Sequence, residues 1–196
     1  MKKLLAILLA ACLVFAFAGC GEKTSGDAIK LGGIGPISGA AAVYGQAVQR
    51  GAEIAVEEIN ALDGLKFEFK MQDDEHDAEK SVNAYNSLKD WGMQILVGSV
   101  TTQPCIAVST ESNADNIFEL TPSASSTDVL GGQPDADGNV TIQRKNNVFQ
   151  MCFTDPNQGI ASAQYIFDQK LGEKIGVIYN SADAYSKGIY QKFMSM

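Results

Sequence analysis

Five glycines, Gly32, Gly33, Gly35, Gly39 and Gly45, lie within the stretch KLGGIGPISGAAAVYG at 30–45. Glycines between a strand and a helix let backbone approach a phosphate, so nucleotide binding is the first chemistry to test. The spacing fails it. A dinucleotide fingerprint begun at Gly33 and Gly35 needs its third glycine at 38, where the chain has Ser38, and Pro36 stands inside the required turn. No Gly-Lys-Ser/Thr sequence closes a phosphate loop either.

Nucleophilic and metal chemistry fare no better. His76 is the single histidine, in DDEHDAEK beside Asp73, Asp74 and Asp77. One imidazole without spaced partners is a poor metal centre, and the segment reads as a solvated acidic loop entering a helix. A Ser-His-Asp triad would have to use this same histidine, and a G-x-S-x-G elbow is absent. PDADGN at 134–139 lacks the ligand spacing of a calcium loop. Two hydroxyl-rich stretches remain, GSVTTQP at 98–104 and TPSASSTD at 121–128. Hydroxyls and free N–H groups at a helix start suit a carboxylate, although Ser and Thr also cap helices with no ligand present.

The elements around these stretches alternate. AIKLGGIG reads as a strand, and 44–62 as an amphipathic helix with Ala47, Gly51, Ile54, Ala55, Ile59 and Leu62 inward, stopped near Gly64. KFEFKMQ is a strand. Residues 78–91 form a helix with Val82, Tyr85 and Leu88 inward, ended by Gly92. QILVG is a short apolar strand, and TQPCIAVSTESNA starts a helix with Pro104 in its first turn. IFELT is a strand, NQGIASAQYIFDQKL a helix capped by Gly172, and KIGVIYN a further strand. A surface hairpin over 131–145, turning at Asp137-Gly138, interrupts the rhythm. Strands apolar on both faces and alternating with helices predict an α/β fold: a parallel sheet covered on both sides. Both hydroxyl stretches then sit at carboxyl ends of strands, where open α/β sheets bind ligands.

At the N-terminus, Lys2 and Lys3 precede an unbroken apolar run from Leu4 to Ala18. That length is short for a membrane span and suits an export signal over residues 1–19. FAGC, Phe17 to Cys20, resembles a lipobox with Cys20 as the lipidated residue, and 20–27 a tether. The competing site is an A-x-A cut at Ala16 and Ala18, giving free secretion. Loss of Lys2 and Lys3 takes the net charge from −8 to −10, which argues against nucleic acid as a partner. Cys105 and Cys152 are then left as either one disulfide or two free thiols. The chain ends at GIYQKFMSM inside a helical pattern with no cap, the expectation being a C-terminally truncated chain.

Taken together, GPISGAAAVYGQAVQRGAEIAVEEINA, VGSVTTQP, LTPSAS, VFQMCFTDPNQG and GVIYNSADAYSKG resemble the leucine/isoleucine/valine-type binding proteins of ABC importers, of periplasmic-binding fold type I. The resemblance covers 28–196. It implies two α/β lobes with ligand held between them: a first lobe over 28–148, then a crossover and the incomplete start of a second lobe over 149–196. It also implies a ligand set. Ser99 holds an amino acid's carboxylate, Ser123, Ala124 and Ser125 its carboxylate and amino group, and Tyr44 and Tyr185 line and close the cleft. Ser125 stands where relatives often have Thr, Ser186 where they commonly have Gly, and Gln150 where many have Arg. No cofactor is implied. The implied partners are a small amino acid, the permease subunits and, through Cys20, the outer face of a membrane. Amides or urea, a ligand-sensing module of the same fold, and a hydrolase using His76 are the alternatives.

Overall fold

The computed structural model describes residues 28–134 and 137–196, so the expected signal, the tether and Cys20 lie outside the described residues. Five parallel strands, β1 (Ile29–Gly35), β2 (Phe67–Asp73), β3 (Ile95–Val97), β4 (Phe118–Thr121) and β5 (Val148–Gln150), form one sheet in the order β2-β1-β3-β4-β5. Helix α1 (Ala42–Ala61) lies against β1 and β2. Helices α2 (Ala78–Trp91) and α3 (Thr102–Asp115) pack on each other over the opposite face. Tyr85, Leu88 and Val108 from these helices meet Ile34 and Leu96 from the strands, all fully buried, in the main core cluster. Helices α4 (Asp155–Asp168) and α5 (Ala184–Met194) pack mainly on one another, and α5 also touches α3. Among the described residues no helix is long and apolar enough to cross a membrane.

Several boundaries are set by local chemistry visible in the sequence. Asp77 caps α2 by accepting from Lys80 N–H, and Gly92 at φ +91 ends the helix in the left-handed conformation glycine favours. Pro104 stands in the first turn of α3, where its missing N–H leaves no bond unmade.

Helix α1 departs from its expected orientation. Ile54, Ile59 and Leu62 are exposed, as are Ala47, Gly51 and Ala55. The face toward the sheet is instead Gly45, Val48, Gln49, Ala52, Val56 and Asn60. Two contacts fix that rotation. Gly45 lies so close to Pro36 that a Cβ would stand 2.0 Å from the Pro36 carbonyl oxygen. Asn60 bonds Phe67 twice, donating to its C=O and accepting from its N–H, each at 2.8 Å. Backbone pairing through a polar side chain thus overrides the apolar stripe.

Three further expectations change. Residues 174–180 pair with no strand among the described residues, and Ile178 is fully exposed, because a strand exists only where a neighbour accepts its ladder. Helix α4 ends at Asp168, with Gln169 as cap and Lys170 at φ +51, so Gly172 is not its cap. The arms of the expected hairpin meet through Gly132 N–H to Ile142 O at 2.7 Å and Lys145 N–H to Leu130 O at 2.9 Å, without forming strands. Cys105 and Cys152 are free thiols.

Candidate functional site

The carboxyl ends of β1 to β4 open onto three turns, each tied down by polar side chains. The first, Pro36 to Gly39, is held by Asp73. Its carboxylate accepts from Ile37 N–H at 2.9 Å, Ser38 N–H at 3.4 Å and the Ser38 hydroxyl at 2.5 Å, and from Glu75 N–H at 3.0 Å. Burial pulls the Asp73 carboxyl upward. The donors, Ser38 hydroxyl foremost, outweigh it and hold the group below its ordinary range.

The second turn follows β3. Gly98, at φ +126, donates its N–H to Leu120 O at 3.0 Å, and a Cβ there would meet Ile34 O at 2.4 Å. The Gly98–Ser99 peptide is cis. Ser99 is fully buried, its hydroxyl donating to Asp74 Oδ2 at 2.6 Å and lying 3.1 Å from Ser81 Oγ. Asp74 also accepts from His76 N–H at 2.9 Å. Burial raises the Asp74 carboxyl, and the Ser99 hydroxyl only partly offsets this. Thr101, the N-cap of α3, makes no side-chain cap bond. Its hydroxyl meets His76 Nδ1 at 2.9 Å instead.

The third turn follows β4 and is laced to the second. Thr121 Oγ1 donates to Ser99 O at 2.8 Å and accepts from Ala124 N–H at 3.1 Å. Ser123 Oγ donates to Val100 O at 2.7 Å. Gln150, which stands where the resemblance places arginine in many relatives, donates its amide to the carbonyls of Ala124 and, at 3.1 Å, Ser126. A neutral side chain thus ties the crossover to this turn without an ion pair.

A cavity of about 350 Å3 lies over these turns. Tyr44, Ser123, Ser125 and Tyr185, all singled out in the sequence, line it together with Ala41, His76, Val100, Thr101, Thr102, Phe153 and Asp183. The two hydroxyl stretches therefore share one rim. Ala124 and Ser99 do not line the cavity; they are buried, Ala124 at 1% exposure and Ser99 with its hydroxyl turned to Asp74. His76 does reach the cavity, although its acidic neighbourhood read as solvated loop. Asp183 was missed as a site residue. It caps α5 by accepting from Ser186 N–H at 2.9 Å, and the Asp-x-x-Ser spacing in SADAYS carries that signal. Among the described residues no group of three His, Cys, Asp or Glu side chains could hold a metal.

Chemically, this is a binding rim. The first-turn N–H groups of α3 and the Ser125 hydroxyl can receive an anion, a carboxylate on the far wall can receive a cation, and aromatic rings stand between them.

The chain belongs to the periplasmic binding protein family, whose model matches residues 28–195. It is similar to the Leu/Ile/Val-binding protein homolog 3 of Brucella melitensis, 31% identical over 196 residues, covering 98% of this chain and 48% of that one. Among solved structures it resembles the branched-chain amino acid transporter substrate binding protein LivJ of Streptococcus pneumoniae, in complex with isoleucine. The TM-score is 0.75 and the identity 25%, over 86% of this chain and 46% of that one. The leucine binding protein LivK of Thermotoga maritima shares the fold at a TM-score of 0.74 and 23% identity, over 85% and 45% of the two chains. The chain spans about half the length of the curated relatives it matches.

Proposed function

We propose that this protein is the extracytoplasmic solute-binding component of an ABC importer, capturing a branched-chain or related small amino acid and handing it to a membrane permease. Residues 28–148 act as the first lobe, and 149–196 as the crossover and opening of a second. Cys20 is the lipid anchor. The reading is supported by similarity to Leu/Ile/Val-binding proteins, one of them in complex with isoleucine. The observation that carries it is the single cavity shared by Thr101, Thr102, Ser123, Ser125, Tyr44 and Tyr185.

In this reading the ligand carboxylate sits against the amino end of α3 and the hydroxyl of Ser125, while Ser123 holds its turn by donating to Val100 O. Asp183 faces the ammonium, and Tyr44, Phe153 and Tyr185 surround the side chain. Ser99 supports the rim from behind through Asp74, and Ala124 through the backbone of its turn. Charge-assisted hydrogen bonds contribute about 1.5–3 kcal/mol each, and the helix terminus about 0.3–1 kcal/mol. Three or four such contacts, less the cost of immobilising the ligand, suffice for micromolar affinity near about −8 kcal/mol. Binding leaves the ligand unchanged.

Calorimetry against leucine, isoleucine, valine, other amino acids, an amide series and urea tests this. A binding heat for one amino acid class, with no turnover, supports capture. Turnover that disappears in His76→Ala, or binding confined to amides, contradicts it.

A further inference from the structure

Thr101 is the N-cap of α3 by position but not by chemistry. A threonine in that place accepts, through its hydroxyl, from the N–H of the second or third helical residue. Here the third is Pro104, which has no N–H, so Gln103 N–H is the one cap partner of that kind. Thr101 makes no such bond; its Oγ1 lies 2.9 Å from His76 Nδ1. The hydroxyl donates to a bare Nδ1 or accepts from a protonated one, and either way the ring holds the oxygen. The open donors this leaves are the N–H groups of Thr102 and Gln103, because Cys105 N–H already donates to Thr101 O at 3.0 Å. Thr102 lines the smaller cavity. Gln103 places its side chain on the wall of a neighbouring cavity of about 750 Å3, with Ser126 and Lys187, so what it offers the helix end is its N–H.

His76 is held in place by the groups that hold the rim. It and Glu75 are non-glycine residues in left-handed backbone, at φ +64 and +49, a conformation that side chains disfavour. Two carboxylates stabilise it. Glu75 N–H donates to Asp73 Oδ1 at 3.0 Å, His76 N–H to Asp74 Oδ1 at 2.9 Å, and Asp77 N–H to Asp74 O at 2.8 Å. The same Asp73 accepts from the Ser38 hydroxyl in the first turn, and the same Asp74 from the Ser99 hydroxyl in the second. The imidazole is thus fixed relative to both turns and to the start of α3.

We propose that His76 is a positioning residue for ligand capture: by holding the Thr101 hydroxyl it keeps the amino end of α3 uncapped. The N–H groups of Thr102 and Gln103 then wait for the ligand carboxylate instead of being met by the protein's own side chain. A capping hydroxyl and an incoming carboxylate compete for the same donor and the same space in front of the helix. An α3 that capped itself therefore binds ligand less tightly, by what the cap contributes. The inference rests on the amino-acid reading for what approaches the helix end; the diversion of the Thr101 hydroxyl does not.

The test compares the full chain with His76→Ala and with His76→Ala/Thr101→Val, in two arms. His76 is exposed, so its replacement leaves no hole in the core. The first arm needs no ligand and reads Gln103 amide-proton exchange with water by NMR. Exchange slows by roughly fivefold in His76→Ala, where the freed hydroxyl caps the helix, and returns to the parent rate in the double variant. The second arm is calorimetry with isoleucine. Affinity falls by a similar factor in His76→Ala, and the double variant recovers most of the loss. Unchanged Gln103 exchange in His76→Ala overturns the proposal. So does a double variant that binds no better than His76→Ala, which would put the imidazole itself on the ligand. A parent chain that binds no amino acid contradicts the function proposed above, and the exchange arm still decides the pair.

Discussion

The two walls of the smaller cavity are built differently. The wall from Ala41 to Ser125 stands on the sheet, and its turns are bonded to one another: Ser38 to Asp73, Ser99 to Asp74, Ser123 to Val100, Thr121 to Ser99. Beneath it sit Tyr85, Leu88 and Leu96, fully buried. Among the described residues, the wall carrying Phe153, Asp183 and Tyr185 has no such foundation. Helix α5 buries none of its residues, Phe153 is 63% exposed, and Tyr185 hydrogen-bonds Gln158 at long distances of 3.4 and 3.5 Å. The contrast teaches where preorganisation resides. One wall holds its donors in place through bonds between its turns; among the described residues the other carries fewer such bonds.

Substitutions can break this contrast. Leu88→Ala removes the packing beneath the ordered wall and destabilises the protein by about 2–5 kcal/mol, read from the denaturant midpoint. A loss below that range means the ordered wall has no rigid base.

The same wall carries a pH dependence. Glu119 on β4 is fully buried, accepting from Cys105 Sγ at 3.4 Å and from the Ser112 hydroxyl, with Lys145 near enough to draw it down. Burial prevails and pushes it up to about 7 from an ordinary 4.5. A carboxyl raised by folding binds its proton more tightly in the folded state. Its contribution is therefore fully present below about pH 4.5 and is lost as pH rises toward about 7, a difference on the order of 3 kcal/mol. Burial also lowers the Lys145 amine, and Glu119 draws it back up. Unfolding free energies of Glu119→Gln measured between pH 4.5 and 7.5 lack this decline; a variant with the parent's slope refutes the assignment.

Gly45→Ala pushes a methyl into Pro36 and costs about 1–3 kcal/mol, displacing the first turn. An unchanged thermal midpoint sinks the close approach of α1. Tyr185→Ala is the smallest in stability, within about 0.5 kcal/mol, yet it weakens ligand binding by roughly tenfold. A large stability loss there erases the distinction between the walls.

Much of this was legible in the sequence, and the exceptions share a cause. The extent of α2, the position of Pro104 and the placement of both hydroxyl stretches follow from caps, apolar runs and strand ends, which are local signals. Tyr44, Ser123, Ser125 and Tyr185 came through likeness to a family and line one cavity. What stayed hidden depends on partners distant in sequence. Asn60 gives no local sign of its pairing with Phe67, which is a tertiary contact. Residues 174–180 have a strand's composition but no neighbour to pair with among the described residues. His76 lies 25 residues from Thr101 in sequence and meets its hydroxyl only once β2 and β3 stand in the same sheet.

The central claim is that two hydroxyl-bearing turns and the start of α5 hold one zwitterionic ligand. Amide NMR shift mapping during a titration with leucine or isoleucine measures it most directly. The account predicts shifts clustered at Val100 to Thr102, Ser123 to Ser125 and Asp183 to Tyr185. Shifts confined to the neighbouring cavity around Ser126 and Lys187, or saturating shifts that spare both turns, would contradict it.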